Sequence, residues 1–347
     1  MEEKIRLGHP FYFPTQTVLV DDDPDFLDGI SLMLNKQLSY RPFQSAMDAL
    51  DYVNEAHLHC DIVRRCYSSY KTGPSNSDFI THIDIGKLHH EVLNASRFQT
   101  CSTLIVDYSM PQMNGLEMLK NLKNPYIRKV LLTEQADMES VVKAFNLQLI
   151  DQFLDKRDPH LERKLNHIIR TFEEQYFRRS FRLIVEPIVA NNEEAFLICP
   201  DFQGYFDELR KELGIVEYYL IDMPHTGFFL MDATGTRYCL LIYTQQALEE
   251  HNQQLEDARA PESLVGDVRS GNVIPIYNTL ESPVTEVHPA LSKPWLFYRK
   301  SKKIESRYQT FFVSTTVDEK LLYLPKDQVV PFDIFLKKNC AFYPRIH

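Results

Sequence analysis

Acidic, hydroxyl and ammonium side chains stand at four points where short apolar runs end. Thr17–Asp21 (TVLVD) runs into Asp22 and Asp23, and Thr103–Asp107 (TLIVD) ends on Asp107. Lys129–Thr133 (KVLLT) ends on Thr133, and Gln152–Leu154 is followed two residues later by Lys156. Three carboxylates brought to one place repel and raise each other's pKa unless a cation neutralises them. Oxygen-only donors in an open, water-rich setting suit Mg²⁺, which keeps several waters and takes a phosphate oxygen as a partner. A lysine adds a fixed positive charge and a threonine a hydroxyl donor, so together they balance a dianion arriving on a carboxylate. An aspartate can itself act as the nucleophile and become an acyl phosphate.

The elements that must position these groups follow from the apolar rhythm. The four runs read as buried parallel strands, whose carboxyl ends are where open α/β sheets place their sites. Past Pro24, residues Phe26, Leu27, Ile30, Met33 and Leu34 recur at helical spacing. Arg41–Gln44 reads as a short strand, and Ala46–Val53, Gly115–Leu122 and Met138–Phe145 read as helices. Asp158 and Pro159 form a helix start, with Asp as cap and Pro at the first helical position. The helix they open carries Leu161, Leu165, Ile168, Phe172 and Tyr176 as a narrow apolar stripe, extended through Phe177 and Phe181 with Arg178, Arg179 and Arg182. Strand and helix alternate to this point, which predicts a doubly wound α/β domain. Residues 55 to about 100 break the rhythm: they are polar, contain TGPSNSD, lack a strand pattern and leave room for a helix within Phe79–Leu93. They read as an insertion and a docking surface.

From Ile184 the pattern becomes α+β. A helix is expected over Asp201–Leu213, and strands over Glu217–Ile221 and Gly227–Tyr243 turning at Asp232–Gly235. A polar helix follows over Thr244–Asp257, and the remainder is strand-like. The expected organisation is a first domain over 1–157 with the insertion inside it, a linker helix over 158–182, and an α+β output domain over 183–347.

The segments VLVDDDPDFL, LIVDYSMPQMNGLEML, VLLTEQAD and FLDK resemble the receiver domain of two-component response regulators, over about residues 15–180 without the insertion. The second is the most specific, an Asp followed by a Met-Pro turn and then Asn-Gly before a helix. The resemblance implies a flavodoxin-like five-stranded parallel sheet of order 2-1-3-4-5. It also implies that Asp107 accepts a phosphoryl group from a sensor histidine kinase or phosphotransfer protein. Asp22 would bind Mg²⁺ directly, Asp21 largely through water, and the Ser109 backbone carbonyl would complete the protein ligands. Lys156 would pair with the phosphoryl group, Thr133 would turn toward it, and Phe153 would follow Thr133 inward as the switch aromatic. Two positions depart from the family: Glu134 follows Thr133 in place of a small residue, and Arg157 follows Lys156 in place of proline.

Composition narrows the rest. A net charge of -10 argues against a wholesale nucleic-acid wrapper. The six cysteines form no CxxC pair and fit reduced thiols. Without a signal-peptide run or a long apolar span, the expected location is cytoplasmic. No glycine pattern of a dinucleotide or P-loop cradle is present. His57, His59 and Cys60, with His89 and His90, are either a soft metal site or solvent-facing residues. Arg299, Lys300, Lys302 and Lys303, with Arg307 and flanking Phe297, Tyr298, Tyr308 and Phe311, are either a nucleic-acid contact or a charged hairpin turn. The extended stripe after Leu161 either packs on the sheet or forms a dimer helix. The combined reading is a regulator rather than an enzyme, whose only chemistry is taking up and releasing its own phosphoryl group. Phosphorylation would drive homodimerisation and control gene expression or quorum-sensing-type signalling, with no membrane partner. The alternative is a phosphorylation-controlled protein- or ligand-binding adaptor without nucleic-acid contact.

Overall fold

The structure, a computed structural model, describes residues 8–59, 62–71, 79–84, 86–134, 138–180, 195–221, 225–277, 296–307, 309–317 and 324–339. The chain divides into two compact units that interleave along the sequence. The parallel unit takes residues 13–64, 94–182 and 332–347, and the antiparallel unit takes 1–12, 65–93 and 183–331. The expected contiguous division therefore differs in three segments. Phe11–Tyr12 (β1) lies opposite Tyr219 and Tyr218 in an antiparallel ladder. The centre of the insertion joins the same unit, its helix Gly86–His90 packing on strand Ile215–Ile221. Phe332 and Phe335, near the C-terminus, close their rings on Phe98 of the parallel unit. Pairing and burial between distant residues decide all three, and no local pattern announces them.

Elements are numbered along the whole chain. The parallel unit contains Gln16–Val20 (β2), Ser39–Phe43 (β3), Cys101–Asp107 (β6), Arg128–Thr133 (β7) and Gln152–Asp155 (β8). They form a five-stranded sheet in the order β3-β2-β6-β7-β8, every neighbour parallel. This is the flavodoxin-like order expected. Pro24–Met33 (α1) and Leu161–Ser180 (α7) pack on one face of the sheet, in a core of Leu19, Leu27, Ile30, Ile105, Val130, Leu132, Leu154, Leu161, Leu165, Ile169 and Phe172. Each such side chain contributes about 1.5 to 3 kcal/mol on burial, which fixes which face of each strand turns inward. The helix α7 starts at Leu161 rather than Pro159, because the Asp158 carbonyl accepts from the Leu161 N–H (3.0 Å) and its carboxylate from the His160 N–H (2.8 Å).

The antiparallel unit is built on a six-stranded sheet in the order β1-β9-β10-β11-β15-β14. Its strands are Ile215–Ile221 (β9), Gly227–Asp232 (β10), Arg237–Thr244 (β11), Lys302–Glu305 (β14) and Thr310–Val317 (β15), beside β1. Phe196, Phe202 and Phe206 pack with Tyr218, Phe228 and Phe311 of this sheet as one aromatic cluster, with ring centroids 4.7 to 6.4 Å apart. Val273–Tyr277 (β12) and Leu296–Lys300 (β13) form a separate two-stranded ladder. Within the insertion, Tyr67–Lys71 (β4) pairs antiparallel with Phe79–Ile83 (β5). The helix expected inside Phe79–Leu93 is thus confined to Gly86–His90, and the strand pattern read as missing is present in the β-branched and aromatic run FITHI.

Candidate functional site

Strand register delivers the acidic site. Val20 lies opposite Val106 in the ladder, so Asp21 and Asp107 leave adjacent strands side by side. Asp107 lies opposite Leu132, and Thr133 opposite Asp155, so Thr133 and Lys156 emerge at the same end of the sheet. Asp23 caps α1 by accepting from the N–H groups of Asp25 and Phe26, which turns the chain sharply after Asp22. Asn114 caps Gly115–Lys120 (α5) in the same way through the Glu117 N–H. The glycine of the MPQMNG turn is required by space: a Cβ on Gly115 would meet the Asp107 carbonyl oxygen at 2.2 Å. Gln112 turns the same loop with a positive φ of 66°.

Asp21, Asp22 and Asp107 each offer a carboxylate oxygen within 4.8 Å of the others, the two outer members buried and Asp22 exposed. The Lys156 ammonium stands 2.6 Å from Asp21 Oδ2 and 2.9 Å from Asp107 Oδ1. Asp21 Oδ2 is buried and takes part in that ion pair without a well-directed hydrogen bond, while Oδ1 accepts from the Asp23 N–H at 3.1 Å. Asp107 Oδ2 accepts from the Ser109 N–H at 2.8 Å. Burial lifts the Asp21 carboxyl above the usual range, with Lys156 and the Asp23 N–H pulling the other way. Burial also opposes the charge on Lys156, but the two carboxylates outweigh it and hold the ammonium above the ordinary lysine value.

The remaining residues of the expected site fall around this centre. Thr133 is buried, its carbonyl accepting from the Lys156 N–H at 3.1 Å, and Phe153 is half-buried on β8. Glu134 is exposed. Arg157 folds back on Asp155, with its N–H and Nε at 2.8 and 3.4 Å from Oδ1. One contact was not legible from residue types: the Phe26 ring of α1 faces the Lys156 ammonium, 4.4 Å from its centroid. Helical spacing marks Phe26 only as a core position.

The α7 stripe, including Leu165, Phe172, Tyr176 and Phe177, is buried within its own unit, and Phe177 meets Phe13 edge-on at 5.3 Å. The stripe therefore packs at home, with Arg178 and Arg179 exposed, while Phe181 and Arg182 lie outside the described residues. Arg299 and Lys300 sit on β13 and Lys302 and Lys303 on β14, either side of Ser301 and in different sheets. Arg299 donates to the Thr315 carbonyl (3.4 Å), Lys302 lies over Tyr205 (4.7 Å) and Lys303 pairs with Glu305 (2.6 Å). Phe311 is buried in the aromatic cluster and Tyr298 meets His251 at 3.1 Å. Tyr308 and Cys60 lie outside the described residues, as do the side chains of Phe297, His57 and His59. The His89 and His90 rings touch at 4.4 Å, and burial, then His90, pushes His89 down to about 4. No described helix is long and apolar enough to cross a membrane.

Residues 79–167 match the family of response regulator receiver domains, a span that takes in Asp107, Thr133 and Lys156 but not Asp21 or Asp22. No curated protein matches the sequence. The solved structure of the Legionella pneumophila response regulator LqsR is similar over 98% of this chain and 98% of its own, at 25% identity and a TM-score of 0.72. A CheY-like response regulator receiver domain protein from Methanospirillum hungatei JF-1 is similar over 48% of this chain and 98% of its own, at 18% identity and a TM-score of 0.31. Residues 79–167 are thus similar to a response regulator receiver domain, and the parallel unit carries the flavodoxin-like five-stranded sheet expected of one.

Proposed function

We propose that Asp107 is the phosphoacceptor, taking a phosphoryl group from the phosphohistidine of a sensor histidine kinase or phosphotransfer protein. The observation that carries this reading is the meeting of Asp21, Asp22 and Asp107 with Lys156 set between two of them. In the transfer, an Asp107 carboxylate oxygen bonds to phosphorus as the phosphorus–nitrogen bond breaks and its electron pair stays on the imidazole. Lys156 neutralises one phosphoryl oxygen, the Thr133 hydroxyl donates to another, and the Ser109 N–H holds the acceptor carboxylate in orientation.

The buried Asp21 oxygen without a directed hydrogen bond, beside two further carboxylates, fits a hard divalent cation. Asp21, Asp22, Asp107 and the Ser109 carbonyl would hold Mg²⁺, which supplies positive charge to the phosphoryl oxygens. Downstream, Thr133 drawn toward the phosphoryl group leaves room into which Phe153 turns. The altered face promotes pairing of two copies in the cytoplasm and changes the state of the antiparallel output unit. Of the two output readings, the adaptor is the better supported. Three of the four basic residues at 299–303 have partners within the chain, and Phe311 is buried away from any base it could stack on. Control of gene expression or of quorum-sensing-type signalling would then run through a protein or small ligand.

Intact-mass measurement after acetyl phosphate and Mg²⁺ treatment tests the acceptor. Wild type is expected to gain one phosphoryl group and Asp107→Asn none; equal labelling of both would reject Asp107. Light scattering with beryllofluoride and Mg²⁺ then tests pairing, with a mass increase expected in wild type alone.

A further inference from the structure

The Phe26 side chain has no place in the charge arithmetic of the site, yet it touches the group on which that arithmetic turns. Lys156 carries three N–H donors. Its ammonium is shared between Asp21 Oδ2 and Asp107 Oδ1, and its third close neighbour is the Phe26 ring, 4.4 Å from Nζ to centroid. The ring is not loose. Pro24 and the Asp23 cap fix the first turn of α1, and Phe26 packs against the buried cluster around Leu27 and Leu161. An aromatic face attracts a cation through its quadrupole, most effectively where water is partly excluded, and the Lys156 side chain is only 10% exposed.

A divalent cation held by Asp21, Asp22 and Asp107 would compete with Lys156 for Asp21. With Asp21 turned to the ion, the ammonium would lose one of its two carboxylate partners. A flexible four-carbon stem would then let it drift toward water. We propose that Phe26 is a positioning residue for phosphoryl transfer, its ring face keeping the Lys156 ammonium beside Asp107 when the cation takes Asp21. This rests on the reading of Asp107 as phosphoacceptor and deepens it. Phe26 acts through Lys156, the charged group its ring faces.

The test is the rate of Asp107 phosphorylation by acetyl phosphate at saturating Mg²⁺ in the full chain. Phe26→Leu keeps an apolar side chain without a ring face and is expected to lower the rate roughly three- to tenfold. Phe26→Tyr keeps the face and is expected to restore it. Because Phe26→Leu also changes packing, phenylalanines of increasing fluorination at position 26 provide a second series with nearly constant shape and a weakening ring quadrupole. A rate that falls steadily with fluorination, together with loss of the ring-current shift on the Lys156 ε-protons in Phe26→Leu, supports the proposal. A rate indifferent to fluorination overturns it, as does a Phe26→Leu rate equal to wild type. Failure of wild type itself to take up phosphate would instead overturn the acceptor reading, so the two failures are distinguishable.

Discussion

The two units solve the same packing problem with opposite strand geometry, and among the described residues the parallel one gathers three carboxylates at one place. In the parallel sheet every strand points the same way, so the residues following β2, β6, β7 and β8 all emerge at one end. Three carboxylates, a threonine and a lysine meet there because register leaves them no other place. In the antiparallel sheet successive strands run in opposite directions, so their ends alternate between the two rims. Its charged residues are spread accordingly: Lys302 and Lys303 lie along the edge strand β14, where lysines discourage pairing with another sheet. A cluster of charge is thus informative in the first unit, whereas Lys302 and Lys303 in the second fit protection of an edge.

Four measurements would break or sharpen this contrast. The largest effect is expected at the glycines. Gly115→Ala drives a Cβ against the Asp107 carbonyl and should destabilise the chain by about 3 kcal/mol while distorting the acceptor. Gly214, with φ of 65° and open space around it, should lose only about 1 kcal/mol on the same change. Similar losses in urea unfolding would mean that the close approach at Asp107 does not constrain the turn.

Next comes metal linkage. Mg²⁺ at a hundredfold excess over its Kd should stabilise the folded chain by about 2.7 kcal/mol, on the order of 5 to 10 °C in a thermal melt. Asp22→Asn should shrink that shift, whereas Lys300→Glu should leave it intact. An undiminished shift in Asp22→Asn would move the cation elsewhere.

A smaller effect concerns pH. The folded-state pKa of Asp21 is raised by burial, so the native chain binds this proton more tightly than the unfolded chain. The stability contributed by protonation is fully present below the ordinary aspartate value and is lost as pH rises through the folded value. Relative to Asp21→Asn, wild type should therefore gain stability as pH falls through that window without Mg²⁺. A flat difference in melting temperature would show that Lys156 cancels the burial penalty.

The smallest change is expected from Lys300→Glu, Lys302→Glu and Lys303→Glu combined. Gel shifts with DNA or RNA at low salt should show no binding to lose in either protein. A salt-dependent shift of wild type that the triple variant abolishes would overturn the adaptor reading of the output unit.

What could be read from residue order follows a physical division. Thr17–Asp21 and Thr103–Asp107 are short β-branched runs ending in acid, and the Asn-Gly turn before α5 is local chemistry. Such signals need only neighbours in sequence, so the parallel strands and the acids at their ends were legible, whereas the order of the strands came from the resemblance to receiver domains. The α7 stripe was legible as apolar, but its packing against Phe13 and the sheet is a contact between residues far apart in the chain. The FITHI strand escaped because its partner YSSYK carries little apolar signal and the pairing is between segments within a polar tract.

Tertiary structure decided the rest. That β1, the middle of the insertion and the C-terminal helix belong to units other than their neighbours depends on ladders and ring contacts between residues far apart in the chain. No periodicity encodes a partner at that distance. The amino-acid sequence determined which groups carry charge, where helices start and which strands end in acid. Only the folded chain placed the Phe26 ring over Lys156 and Gly115 under the Asp107 carbonyl, because close approach is a property of surfaces brought together, not of the residues that bear them.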